Sequence, residues 1–374
     1  MNSIIYVGLD VHKESYTVCS YRVEDDEVKY PQRLEADYRK VLKYLEFLTK
    51  CYGEDVEFVC GYEAGPIGYR LYHQLNDRGV KCIIVAPSTM GVTNNNRVKT
   101  DKKDAANIAR CLAFRLYSAV FVPTAEDEEV KEYIRMRDDK KQALKKVKQQ
   151  ILSFVLRHGY RYEGGNNWTK VHIKWLKSLG FEGLLKEVMD EYMITYEYLE
   201  NKIERITERI EEIALGERYA ENVKKLVCLL GVKTYTALSV IVETGDFKRF
   251  ANAGKYASFV GLVPSEDSSG EIQIQGGITK AGNKQIRRLL VESAQSYGRG
   301  VIGHKSKELA RRQKGNTPRV IAYADKANER LRRKFYRMVL RNGKERNKAI
   351  TAVARELACF MWGLMTDNIG IKIN

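Results

Sequence analysis

Three β-rich runs follow one another at the start of the chain, IIYVGLDV from Ile4, SYTVCSYRV from Ser15 and a weaker EVKYPQRL from Glu27, before any helical spacing begins. Helical and strand-like runs then alternate: YRKVLKYLEFLTKCYG, VEFVCGYEA, PIGYRLYHQLNDRG, KCIIVAP and DKKDAANIARCLAFRL. Short β-branched and aromatic runs mark the strands, and apolar residues three and four apart mark the helices. Three strands followed by α-β-α-β-α is the order of a ribonuclease H-like domain. Such a domain sets its first and fourth strands side by side at the sheet centre.

That order gives four acids a common purpose. Asp10 ends the first strand and Glu63 the fourth, so their carboxylates are expected to face one another, while Asp101 and Asp104 sit one turn apart on a helix. Carboxylates gathered in this way build a cage for two divalent cations, the apparatus for cutting phosphodiesters. Singly, each acid has a plainer explanation: an Asp after a strand is commonly a turn residue, and Asp101 and Asp104 behind Thr100 suit a capped helix N-terminus. Order, strand context and one-turn spacing together favour the cage. Asn94, Asn95, Asn96, Arg97, Lys99, Lys102 and Lys103 crowd the same helix start and place positive charge where a phosphate would sit. The reading is a nuclease or recombinase.

Composition agrees: 64 Lys and Arg against 48 Asp and Glu leave a net charge of +16, which favours a polyanionic partner. The excess is uneven, with sixteen Lys and Arg against four acids between residues 301 and 350. A solvated helix face or tail is the bland account of that stretch. At 374 residues and 44% apolar content the chain is long enough for two or three domains with proper cores. It has no run of eighteen apolar residues, and MNSIIYVGLD lacks the basic start and cleavage site of a signal peptide, so a cytoplasmic protein without a membrane partner is expected. The seven cysteines form no CxxC pair and read as reduced core residues. The five histidines stand isolated, without zinc spacing.

Beyond about Glu128 the composition shifts to long charged amphipathic segments, broken by a loop signal at Gly164, Gly165, Asn166 and Asn167. A helical hairpin or coiled-coil arm is expected over 125–218, between a catalytic domain over 1–124 and a mainly helical domain over 219–374. Within the last, the Leu230-Gly231-Val232 corner ahead of Lys233 resembles a helix-hairpin-helix, whose glycine lets backbone N–H groups approach a phosphate, although an ordinary packing corner fits nearly as well. Further on come a polar turn holding Ser265, Ser268 and Ser269, a short strand, a Gly-rich turn around Lys280, and a basic helix. Lys280, Asn283, Lys284, Arg287 and Arg288 supply donors that are expected to converge on a phosphate.

The segments GLDVHK, YEAGPIGY, VKTDKKDAANIA, GLVPSEDSSG, GGITKAGNKQIRRLL and AVARELACFMW, in that order, resemble the insertion-sequence transposases of family one hundred and ten. The resemblance covers both globular ends and implies a RuvC-like DEDD domain, a coiled-coil arm and a serine-bearing C-terminal domain: α/β plus α. It implies a recombinase, active at the prokaryotic nucleoid, that excises and inserts a mobile element, guided by a structured non-coding RNA that pairs with donor and target DNA. Asp10, Glu63, Asp101 and Asp104 would bind Mg2+, with Mn2+ a substitute. Ser269, placed before Gly270 as in the family, would attack the phosphodiester, and a homo-oligomer, dimer or tetramer, would assemble the composite site from two subunits. Ser268 is adjacent, and Glu271 departs from the small or basic residue that often follows in the family. Two other readings stay open: a RuvC-like nuclease or resolvase that hydrolyses by water alone, and a non-catalytic nucleic-acid-binding protein.

Overall fold

The computed structural model describes residues 3–86, 100–269 and 272–370, with the side chains of 267–269 and 272–275 outside that description. The chain divides into two compact units, residues 1–122 and 123–374.

The first unit is a five-stranded sheet in the order β3-β2-β1-β4-β5, built from β1 (Ser3–Val11), β2 (Ser15–Arg22), β3 (Glu27–Glu35), β4 (Val56–Glu63) and β5 (Lys81–Val85). β1 runs antiparallel to β2 and parallel to β4, so the first and fourth strands are neighbours at the centre as the element order requires. Strand alternation divides β1 between two faces. Ile5, Val7 and Leu9 are fully buried in a core completed by α1 (Tyr38–Tyr52) and α2 (Arg70–Asn76). Gly8 faces the other way, onto α3 (Asp101–Ala113).

Close packing on that second face depends on missing side chains. A methyl group at Gly8 would lie 2.0 Å from the Ala105 carbonyl oxygen and 2.6 Å from the Ala109 nitrogen. Its register partner Gly61 would place one 2.8 Å from Leu112 Cδ1. Helix α3 therefore lies directly on the sheet backbone, with alanines as its contact residues, which is the usual reason for glycine within a strand.

The second unit is mostly helical. Helices α4 (Ala125–Arg157) and α6 (Gly183–Leu215) each have 33 residues, about 50 Å of helix. They run antiparallel: Val130 and Ile134 share a core with Ile206 and Ile210, whereas Leu144 to Val155 pack with Met189 to Leu199 and α5 (Lys170–Lys177). A long helical pair is thus present where a hairpin or coiled coil is expected. Helices α7 (Glu217–Leu226), α8 (Thr234–Thr244), α9 (Ala253–Val260), α10 (Lys284–Ala294), α11 (Lys307–Gln313), α12 (Pro318–Tyr336) and α13 (Arg346–Met365) complete the unit. Much of α13 is buried, from Ala349 to Leu364.

The expected polar turn at Ser265 to Ser269 is instead a strand. β6 (Pro264–Ser269) pairs antiparallel with β7 (Ile272–Ile278), Ser268 opposite Gln273 and Ser269 opposite Ile272. Local polarity suggested a turn; the ladder partner decided otherwise, as sheet pairing commonly overrides composition.

Candidate active site

Alternation along β1 sets Asp10 on the same face as Gly8, beside the start of α3. There Thr100 caps the helix, its hydroxyl accepting from the Lys103 N–H at 3.4 Å, and Asp101 and Asp104 occupy the first turn, where the helix dipole favours negative charge. Ligand atoms of Asp10, His12 and Asp101 all lie within 4.8 Å of one another. Glu63 ends β4 on the neighbouring strand, one step beyond the last register pair, Leu9 with Tyr62. Glu63 and Asp104 stand outside that 4.8 Å group, so the structure gathers two of the four expected acids and adds a histidine.

His12 corrects the expectation of five isolated histidines. Its Nε2 lies 3.1 Å from Asp10 Oδ2, within hydrogen-bond reach. The sequence held the signal: two residues on from Asp10, at a strand end, is the same side of the strand. Gly8 and Gly61 went equally unnoticed, although glycines inside GLD and CGYE announce a close backbone approach.

The electrostatics of Asp10 are those of a gathered site. Burial pushes its carboxyl up; the adjacent His12 pulls it down by charge and hydrogen bond; Asp101 and Asp104 push it up again, and the net shift is upward. Like charges have been collected at a cost to the fold, a hallmark of functional positions. Two carboxylates and an imidazole within 4.8 Å fit a divalent cation after a modest closure, since oxygen ligands of a small hard cation sit about 2.1 Å from it. Lys102 and Lys103 are exposed on the first turn of α3; Arg97 and Lys99, with Asn94 to Asn96, lie outside the described residues.

In the second unit the backbone of Ser269 ends β6, and its side chain lies outside the described part. The basic turn after β7 does not converge as expected. Arg287 Nη1 donates to the Val260 carbonyl at 2.8 Å, closing the end of α9. Arg288 donates to Asp138 Oδ2 at 2.6 Å and to Glu292 at 3.0 Å. Asn283 caps α10 through Ile286 N–H and donates to the buried Glu243 at 2.9 Å. Their donors are committed to packing, leaving Lys280 and Lys284 as the exposed cations among those five. Gly231, at φ 81°, packs against α10, where a Cβ would meet the Ser293 carbonyl at 2.2 Å, and the neighbouring Leu230 N–H donates to Asn328. The packing account of that corner is the one the geometry displays; Lys233 beside it is exposed.

Comparison with known proteins places this geometry. Residues 7–159 match the DEDD model of IS110 elements, described as Transposase, and residues 223–300 match the model described as Transposase IS116/IS110/IS902 family. The chain is 34% identical to a putative transposase of Sinorhizobium fredii over 97% of its own length and 88% of that protein's. It is 32% identical to the transposase for insertion sequence element IS1533 of Leptospira borgpetersenii, over 90% and 96% respectively. With the transposase for IS1111A of Coxiella burnetii the figure is 25%, over 98% and 91%. Acids on the matching strand and helix ends, two family models in order and relatives aligned over nearly their whole length lead to one conclusion: the chain belongs to the IS110 family of insertion-sequence transposases, enzymes that cleave DNA and transfer its strands.

Proposed function

We propose that this transposase excises and inserts its element with a RuvC-like tetrad of Asp10, Glu63, Asp101 and Asp104, assisted by His12, and with Ser269 as nucleophile. The observation that carries the metal half is the meeting of Asp10, His12 and Asp101 within 4.8 Å at the mouth of the sheet. A divalent cation there, Mg2+ with Mn2+ as substitute, would favour loss of a proton from the attacking hydroxyl and neutralise the leaving oxygen. The carboxylates supply the negative charge that holds such an ion, and His12 orients the Asp10 carboxylate by its hydrogen bond. Ser269 Oγ attacks phosphorus, gives up its proton and displaces a deoxyribose oxygen, so the cleaved strand stays esterified to the protein until a second hydroxyl displaces the serine.

The partners in this reading are donor and target DNA and a structured guide RNA. Delegating sequence choice to base pairing leaves the protein to grip backbones, in keeping with its net charge of +16. The helical pair within 125–218 serves as an arm through which copies associate into a homo-oligomer, and residues 219–374 carry the serine.

The test is excision in cells carrying the gene with its flanking non-coding DNA, junctions being amplified for wild type, Asp10→Ala and Ser269→Ala. Junctions from wild type alone support both halves of the chemistry. Junctions from well-folded Ser269→Ala protein would sink the nucleophile claim in favour of hydrolysis by water, and junctions from Asp10→Ala would sink the metal site. Deleting the flanking non-coding segment abolishes junctions if an RNA guide is used; undiminished excision without it removes that partner.

A further inference from the structure

The densest positive charge in the chain is not consumed by the site above. At its centre the second unit has a groove of about 680 Å³ along the end of α12 and the turn after it, lined by Arg330, Arg333, Lys334, Arg337 and Arg341. One wall is the loop carrying Ile302, held by Arg332, which donates to the Val301 and His304 carbonyls, and by Tyr336, whose hydroxyl donates to the Gly300 carbonyl at 2.7 Å. The groove is therefore built rather than incidental to loose side chains.

Charge accounting inside it is lopsided. Glu356 is its single acid: Arg330 and Lys334 both donate to it, the latter at 2.8 Å. Burial works to raise the Glu356 carboxyl, but those two donors outweigh it and hold it below its ordinary value. Arg333 pairs with Glu329 one turn back. Arg337 and Arg341 are exposed and, among the described residues, meet no acid. Both lie in a π-helical turn, Arg337–Arg341, closed by the Asn342 N–H donating to the Arg337 carbonyl at 3.0 Å. Such turns are uncommon and concentrate at functional positions.

We infer that this groove binds the phosphodiester backbone of a nucleic-acid strand, with Arg337 and Arg341 as its principal phosphate donors. The eleven residue steps from Arg330 to Arg341 cover about 16 Å of helix, room for several successive phosphates of one strand. Arginine forks match phosphate oxygens two at a time. A small anion would be met by one arginine, whereas two arginines one turn apart, continued along the helix by three acid-paired cations, fit a polymer. The inference rests on the nucleic-acid reading above and names the surface that serves it.

The experiment uses the full-length protein and two fluorescent probes, a random-sequence DNA duplex and an RNA hairpin of equal phosphate number, titrated between low and moderate salt. Arg337→Gln with Arg341→Gln should weaken binding on the order of tenfold and flatten the log–log salt slope by about two, one phosphate contact per arginine. Lys170→Gln with Lys174→Gln, two exposed lysines on another part of the unit, removes the same charge and should change little. Loss on the RNA alone assigns the groove to RNA, loss on the DNA alone assigns it to DNA, and loss on both makes it a shared backbone track. An unchanged slope and affinity, or a loss no greater than that of the lysine pair, overturns the inference. Among the described residues neither arginine side chain meets an acid, so thermal unfolding should match wild type. Binding requires no cleavage, so an Asp10→Ala protein that binds without forming junctions separates failure of the groove from failure of the chemistry.

Discussion

Two clusters, one in each unit, hold sheltered acids in opposite ways. In the first, Asp10 stands beside Asp101 and Asp104, with His12 its one hydrogen-bond contact among the described residues, and its carboxyl is held above its ordinary value. In the second, Asp138 accepts from Tyr235 at 2.6 Å, from Arg288 at 2.6 Å and from Gln285, and Glu243 is ringed by Asn283, Arg135 and Lys131. Acids matched by donors join helices; acids set against one another raise each other's cost of ionisation, which a bound cation would relieve. Asp138 and Glu243 sit where α4 meets α8 and α10, and losing either would loosen that junction, which the shared apolar core of Val130, Ile134, Ile206 and Ile210 still holds.

The contrast is sharpest if the matched acids are the ones stability needs. Asp138→Ala should therefore have the largest effect, about 2–3 kcal/mol, because it removes the acceptor shared by the Tyr235 hydroxyl, Gln285 and Arg288, although the part-exposed Arg288 keeps Glu292. Urea denaturation followed by tryptophan fluorescence reads this cleanly, since Trp168, Trp175 and Trp362 all belong to the second unit. A cost near zero would break the comparison.

Gly8→Ala comes next, at about 1–3 kcal/mol, because backbone atoms of α3 must retreat to admit the methyl group. Hydrogen exchange of the α3 amides measures it. The same shift displaces Asp101 and Asp104 from Asp10, so excision should fall even where the protein stays folded.

Smallest in energy is Asp101→Asn, studied without added metal. The folded Asp10 carboxyl lies above its reference of 3.8, so the cost of ionising it is absent below that pH and grows as pH rises through the raised folded value. Removing the Asp101 charge relieves part of that cost but forfeits a favourable charge at the start of α3, so the first unit should change by no more than a few tenths of a kcal/mol at neutral pH, while excision is lost. Destabilisation by more than about 1 kcal/mol would mean that Asp101 is a structural residue.

Legibility followed the range of the interaction. The element that carries each of the four acids could be read because the placement is local: a strand end places Asp10 and Glu63, and a Thr100 cap fixes the turn bearing Asp101 and Asp104. The order of elements then carried the strand order, since a parallel pair of β1 and β4 needs an intervening crossover, which α1 provides. The arginines of α10 could not be read, because their partners are remote: Val260 lies 27 residues from Arg287, and Asp138 lies 150 from Arg288. Strand β6 escaped for a different reason: its partner β7 follows directly in the chain, but its polar residues carry little strand propensity of their own.

By itself, then, the sequence determined the class of each element, the central strand pair and the acids at their ends, because periodicity and capping act over a few residues. Only the tertiary structure decided that Asp101 joins Asp10 and His12, that α3 lies on the glycines of the sheet, and that some cations are braces while Arg337 and Arg341 meet no acid among the described residues. A charged side chain's role depends on what lies within a few ångströms of it, and in a folded chain most such neighbours come from far along the sequence.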